Sequence, residues 1–223
     1  MPASACPQCG AEIGFQSAAL PVKVCPHCQA LVMRTDTGLS AVGQSATLPF
    51  DVSPIMLGTT GRHDGVAFAV IGRVRWGWEE GSWNEWLLQF VDGSIGWLGE
   101  AMGAFMLTRE VAPDRLSGPA ADQFLRGDRL HPDDPIAFDG KWQVVSDIKR
   151  ATCIASEGEL PFRAQPGWSI DSVDFKSVTE DCLSAQRESG VVSFYTGRYV
   201  RLADIGAVGL RAFEGWATPD YGG

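Results

Sequence analysis

VAFAVIGRVRW (66–76), NEWLLQF (84–90), SIGWL (94–98) and AFMLTR (104–109) decide the fold class. Each is a short run of apolar and β-branched residues, the composition of a half-buried strand. Asp64-Gly65 precedes the first run and Asp92-Gly93 separates the second from the third. Such pairs supply the positive-φ residues of tight hairpin turns. Within 84–90, Trp86, Leu88 and Phe90 recur every second residue and therefore fall on one face, which makes them core candidates.

Working outward, the C-terminal half repeats this plan. Phe68, Val70, Ile71 and Val74 align with Trp142, Val144, Val145 and Ile148. LLQFVDGSIGWLGE (87–100) aligns with VVSFYTGRYVRLAD (191–204), pairing Phe90 with Phe194 and Gly93 with Gly197. The expectation is a mainly β protein with two small antiparallel barrel or sandwich units, at 55–111 and 128–215, related by a divergent tandem duplication. The second carries an excursion around 150–185, and a hairpin is expected at each aligned glycine. A connector (112–127) holds the one convincing short helix, AADQFLRG (120–127), and 216–223 is a tail. On the N-terminal side, 35–54 is rich in Gly, Ser, Thr and Pro without periodicity and reads as a linker.

Residues 1–34 carry the sharpest chemical signal. CPQC (6–9) and CPHC (25–28) stand fifteen residues apart, the spacing of a zinc ribbon. Cys6, Cys9, Cys25 and Cys28 would sit on two facing knuckles and close a tetrahedral S4 shell, which selects zinc and leaves no position for water. Pro7 and Pro26 preset φ in the knuckles, and Gly10 supplies a permissive backbone after the first where Gln29 takes the matching place. A redox CxxC or an iron centre would use the same ligands, but the βαβ context of the redox motif is missing. His27, inside the second knuckle, is expected to point outward. A ribbon this small has almost no core, so metal binding is its folding energy.

The formal charge of −9 falls as zero on residues 1–47, −4 on 48–111 and −5 on 112–223. Such a surface repels nucleic acid, whose binding rests on neutralising phosphates with Lys and Arg, and suits cationic or neutral partners. No run reaches the length of a membrane span, and the first residues lack a charged n-region and an apolar h-region. Metal-type cysteine pairs, with Cys153 and Cys182 far apart, suit a reducing cytoplasm.

WGWEEGSWNEW (76–86) interleaves Trp76, Trp78, Trp83 and Trp86 with Glu79, Glu80 and Glu85. Indole faces beside carboxylates attract ammonium groups, so Trp78, Glu79, Glu80, Trp83 and Glu85 are candidate ligands for a polyamine or for a partner's Lys and Arg side chains. Core and rim tryptophans around a solvated turn are the structural alternative. EGELP (157–161) places Glu157 and Glu159 two apart; on a regular strand both would face one side, as an acid/base pair requires. A salt bridge or turn is the commoner use. Cys153 and Cys182 read as small buried residues. No nucleophile elbow, P-loop, GxGxxG or HExxH is present.

The segments CPxCG…CPxC, LPFDVSPIMLGTTGRHDGVAFAVIGRVRW, WNEWLLQF, GWLGEA, EGELP, VDF and RYVRL resemble the bacterial family catalogued as domain of unknown function 4178. The resemblance implies an association with polyamine-synthase-like enzymes, small membrane proteins and envelope-stress proteins. It implies no catalytic residue. The reading is a non-enzymatic zinc-binding adaptor or binding module with a protein partner. The alternative is an enzyme or sensor acting on a small cationic ligand such as a polyamine through Glu157, Glu159 and nearby acids.

Overall fold

The computed structural model describes residues 4–179 and 181–214. The ribbon comprises β1 (Ser4–Ala5), β2 (Glu12–Ile13), β3 (Val22–Val24), β4 (Ala30–Thr35) and β5 (Gly38–Gln44). The first meander comprises β6 (Thr60–His63), β7 (Val66–Trp78), β8 (Gly81–Phe90), β9 (Ile95–Ala101) and β10 (Ala104–Val111). A crossing segment holds β11 (Leu116–Ser117), α1 (Pro119–Arg126) and β12 (Pro135–Phe138). The second meander is β13 (Lys141–Leu160), β14 (Ser169–Lys176), β15 (Asp181–Glu188) and β16 (Val191–Val200).

Mainly β architecture is what the sequence led us to expect, but the two expected units are not separate sheets. β10 pairs antiparallel with β16, and β13 pairs antiparallel with β7. These two ladders close β7, β8, β9, β10, β16, β15, β14 and β13 into one ring, which leaves these strands without a free edge. With this many strands, a barrel is just wide enough for side chains to fill it.

Alternation along the strands then separates an inner face from an outer one. Trp86, Leu88 and Phe90 are buried as expected, and they lie on the outer face of the first meander under Ile55, Leu202 and Ile205. On the second meander, the outer face carries Val173, Phe175, Leu183 and Phe194 beneath α1, with Phe124 edge-on to Phe194 at 6.2 Å. The inner face gathers Val74, Trp76, Leu87, Trp97, Ile170 and Tyr195, closed at one end by Leu20 of the ribbon and by Phe162 and Trp168. Helix α1 begins on Pro119 and ends on Gly127 at φ +86°, a left-handed cap suited to glycine.

Three sequence readings need correction. The aligned glycines are not equivalent: Gly93 sits in the β8–β9 turn at φ +87°, whereas Gly197 lies inside β16, opposite Thr108 and Cys182. There a Cβ would stand 1.8 Å from the Leu107 carbonyl oxygen, so Gly197 permits the close approach of β10 and makes no turn. The second hairpin turns at Ser189-Gly190. Trp142 and Ile148 are exposed where Phe68 and Val74 are buried, so the alignment does not carry over and no duplication is shown. Finally, the stretch expected as an aperiodic linker contains β5, paired with β4 from Thr35↔Gly38 to Ala30↔Gln44. Small residues hide strand periodicity, yet their backbones pair as well as any. The tail 216–223 lies outside the described residues.

Candidate functional site

The four knuckle cysteines come together as the spacing predicted. Their sulfurs all lie within 4.8 Å of one another, with Cys6–Cys28 and Cys9–Cys25 both at 3.8 Å. A tetrahedral ion with metal–sulfur bonds of about 2.3 Å requires sulfur–sulfur edges of about 3.8 Å, so the donor set fits a metal ion. The two knuckles are built alike. The amides of Gly10 and Gln29 donate to the carbonyls of Cys6 and Cys25, each at 2.9 Å. Gly10 and Gln29 occupy the same left-handed conformation, at φ +76° and +62°. Burial pushes the Cys6 thiol up, but the backbone amides of Cys9 and Gln8 outweigh it and bring the group down to about 7. The amide of Ala30 favours the Cys28 thiolate, yet desolvation and the neighbouring sulfurs push it up to about 12. A bound cation would relieve that crowding of charge. His27 is exposed and outside the cluster.

The tryptophan–glutamate stretch splits at its turn. Glu79 and Glu80 are exposed between β7 and β8. Trp78, Trp83 and Glu85 face into the barrel, where they meet residues the sequence reading did not single out. The Glu85 carboxylate accepts hydrogen bonds from Trp76 Nε1 at 2.9 Å and Trp83 Nε1 at 3.2 Å. It also accepts one from Gln186 Nε2 on the opposite side of the ring, at 2.9 Å. Burial pushes Glu85 above the usual carboxylate range against the pull of those donors. Asp174 faces the same interior, pushed up to about 7 by burial and then by the charges of Asp147 and Glu85. Lys149 bonds Asp147 at 3.0 Å and lies over the Trp78 ring at 5.2 Å. The indole faces are likewise occupied, Trp76–Trp83 at 6.3 Å and Trp78–Trp83 at 5.5 Å. The cavity left beside Glu85, Thr108 and Tyr195 is about 20 Å³, room for a single water.

Glu157 and Glu159 do not share a face. Gly158 between them stands at φ +73°, and a Cβ there would meet the Ile71 carbonyl oxygen at 2.2 Å. The backbone turns at this glycine and sends the two carboxylates to different neighbours. Glu159 is 1% exposed and takes the amides of Gln16 (2.6 Å) and Ser17 (2.9 Å) and the ammonium of Lys23 (3.2 Å). Next to it β13 pairs with β3, so this glutamate fastens the ribbon to the barrel. Glu157 reaches Arg73 at 3.4 Å and keeps 36% of its side-chain surface.

Arg73 is the hub that the sequence reading missed. It is buried on the outer face over the Trp86 ring at 4.5 Å, with its guanidinium on Asp51 and on Asn84 Oδ1 at 2.7 Å. Glu100 completes the cluster, accepting from Ser53 Oγ (2.6 Å), Trp86 Nε1 (2.9 Å) and Asn84 Nδ2 (3.0 Å). LPFDVSP, GRVRW, WNEW, GWLGEA and EGELP, read separately along the chain, thus converge on one network. The available signal was an arginine at a position whose strand alternation is apolar. Cys153 and Cys182 are buried, and burial pushes both thiols up to about 12, which suits inert core residues.

Residues 56–202 match the family described as Domain of unknown function (DUF4178). The chain belongs to this family. The matched span takes in the whole barrel and leaves the four knuckle cysteines outside it. No curated protein and no solved structure matches the chain. No helix among the described residues is long and apolar enough to cross a membrane.

Between ribbon and barrel runs a seam. A hollow of about 430 Å³ is bounded by Val24 and Pro26 of the ribbon, by Leu48 and Leu57, and by Ile71 and Glu157 of the barrel. A broader groove of about 810 Å³, which shares Gln16 and Ile71 with that hollow, is lined by Phe68, Phe90, Val91 and Ile205.

Proposed function

We propose that this protein is a non-enzymatic binding module, folded around a structural zinc ion, that recognises a cationic partner at the seam between ribbon and barrel. Glu157 carries the reading. Its carboxylate stands in a hollow of ligand size walled by Val24, Leu48, Leu57 and Ile71 together with polar side chains, its ion pair with Arg73 is long, and about a third of its side-chain surface is open. Most of the other polar groups around it are engaged: Lys23 with Glu159, Ser156 with Ser45, Gln29 with Thr47. The partner is a polyamine or the Lys and Arg side chains of a protein; the net charge of −9 draws such cations and disfavours nucleic acid. An all-thiolate shell selects zinc and leaves it no catalytic position. Reduced thiolates belong in a cytoplasmic setting, without membrane insertion.

The runner-up, an enzyme or sensor acting on a small cation, is favoured by Asp174, whose carboxyl near neutrality suits a general acid. Against it, the interior cavity admits a water and no substrate. The test is titration calorimetry of zinc-loaded protein with spermidine and with a Lys-rich peptide at low ionic strength. Binding should weaken in Glu157→Gln and persist in Glu80→Gln. A wild type that gives no heat with either probe overturns the proposal.

A further inference from the structure

The cationic end of the ligand rests on the reading just given; the shape of the seam carries a separate statement about the rest of it. The linings of the two hollows share Gln16 and Ile71, and Glu157 is the acidic side chain of the smaller one. In the larger groove the charges at the rim are engaged: Arg62 donates to the Gly65 carbonyl at 2.8 Å, and Asp204 pairs with Arg201 at 2.6 Å. Its floor is closed by the packed side chains of Phe68, Phe90, Ile71 and Ile205, and its open apolar surface is that of Val91 and Val208 at the sides.

Ile71 has a reason to be at the junction. The ladder between β7 and β8 slips one residue between Val70 and Gly72, so Ile71 is an extra residue in a bulge and has no partner on β8. Bulges re-aim side chains. Here the bulge packs Ile71 into the buried cluster with Leu20 and Leu160, at the point of β7 that both hollows reach. Gly72 beside it, where a Cβ would stand 1.9 Å from the Glu159 carbonyl oxygen, lets β13 close against the same point.

We infer that the seam takes a linear cationic amphiphile, its ammonium end at Glu157 and its alkyl chain lying past Ile71 in the groove along Val91 and Val208. A compact polyamine, charged along its length, would leave that groove unfilled. A purely apolar ligand would leave the open side of the Glu157 carboxylate, away from Arg73, unmatched. Neighbouring hollows of about 430 Å³ and 810 Å³ are each of ligand size, so one can take the head of such a molecule and the other its chain.

The test is calorimetry on the full-length, zinc-loaded protein with butyl-, hexyl-, octyl- and decyltrimethylammonium below their micelle concentrations, and with alkyl sulfates of the same lengths. Affinity for the cations should rise by up to about fourfold per added methylene, the gain expected for each CH₂ withdrawn from water. Ala203→Trp places an indole in the groove from an exposed position, so the barrel core is untouched. It should flatten the series beyond hexyl while leaving butyl binding unchanged. Glu157→Gln should erase the preference for cation over sulfate and keep the dependence on length. A wild-type series that is flat, or a slope that Ala203→Trp leaves intact, overturns the inference even if spermidine binds. A steep series with no preference for the cation leaves the groove standing and removes the cationic reading of the previous section.

Discussion

The ribbon and the barrel are joined by strand pairing, yet they hold their shape by different physics. The ribbon has two small clusters, Cys6, Ile13, Cys25, Ala30 and Val32 in one and Val22, Val24 and Leu31 in the other. Little apolar surface is available there, and the thiolates cannot all ionise side by side without a cation. The barrel has three large clusters, one inside the ring and one on each outer face. Its stability is spread over many side chains, and that of the ribbon is concentrated at one point. Glu159 and the β13–β3 ladder are where one regime meets the other.

The sharpest way to break this contrast is to remove the metal. Cys25→Ser, or a chelator, should release about one zinc per chain and forfeit on the order of 10 kcal/mol of ribbon folding energy. Backbone NMR should show the ribbon signals collapse while those of β7–β10 and β13–β16 persist. Unfolding of both together would mean that the ribbon is a pillar of the barrel. Elemental analysis without zinc would remove the premise.

Next in size are the barrel's own cores. Phe90→Ala and Phe194→Ala should each cost about 3–5 kcal/mol in denaturant unfolding and leave zinc content unchanged, because both rings are fully packed on outer faces. Glu159→Gln tests the joint. It leaves Lys23 without its counter-charge and weakens the hold on the amides of Gln16 and Ser17, at a cost of roughly 3 kcal/mol. Hydrogen exchange should quicken in β3 and at Gln16 and Ser17, with the far side of the barrel still protected.

Smaller is the effect of pH through Asp174. Its folded-state pKa is raised to about 7, so the folded protein holds this proton more tightly than the unfolded chain. Stability from this group is therefore full below about pH 4 and is lost as pH rises through about 7. Asp174→Asn should lessen the fall in stability between about pH 4 and pH 7, by roughly 1–2 kcal/mol after solvent screening. The smallest effect is a gain. Gln29 spends its left-handed φ of +62° without glycine's freedom, so Gln29→Gly should stabilise the metal-loaded ribbon by about 1 kcal/mol. A chelator-competition titration would detect it as tighter metal retention.

What could be read along the chain was whatever depends on near neighbours. The thiolate set is legible because each CxxC makes its own knuckle, and the outer stripe of Trp86, Leu88 and Phe90 because alternation along one strand is local geometry. Helix α1 announced itself by its short run and its closing glycine. The tertiary structure alone decided how the strands close. Pairing Leu107 with Arg198, or Gly158 with Gly72, joins residues about ninety apart, and no turn residue marks such a ladder in advance. It decided likewise that Glu157 and Glu159 part company at a positive-φ glycine, that Glu85 faces inward to Gln186, and that five distant segments meet on Arg73. Hydrogen-bonded ladders and buried charges are settled by what arrives on the other side, and only the folded chain brings that side into reach.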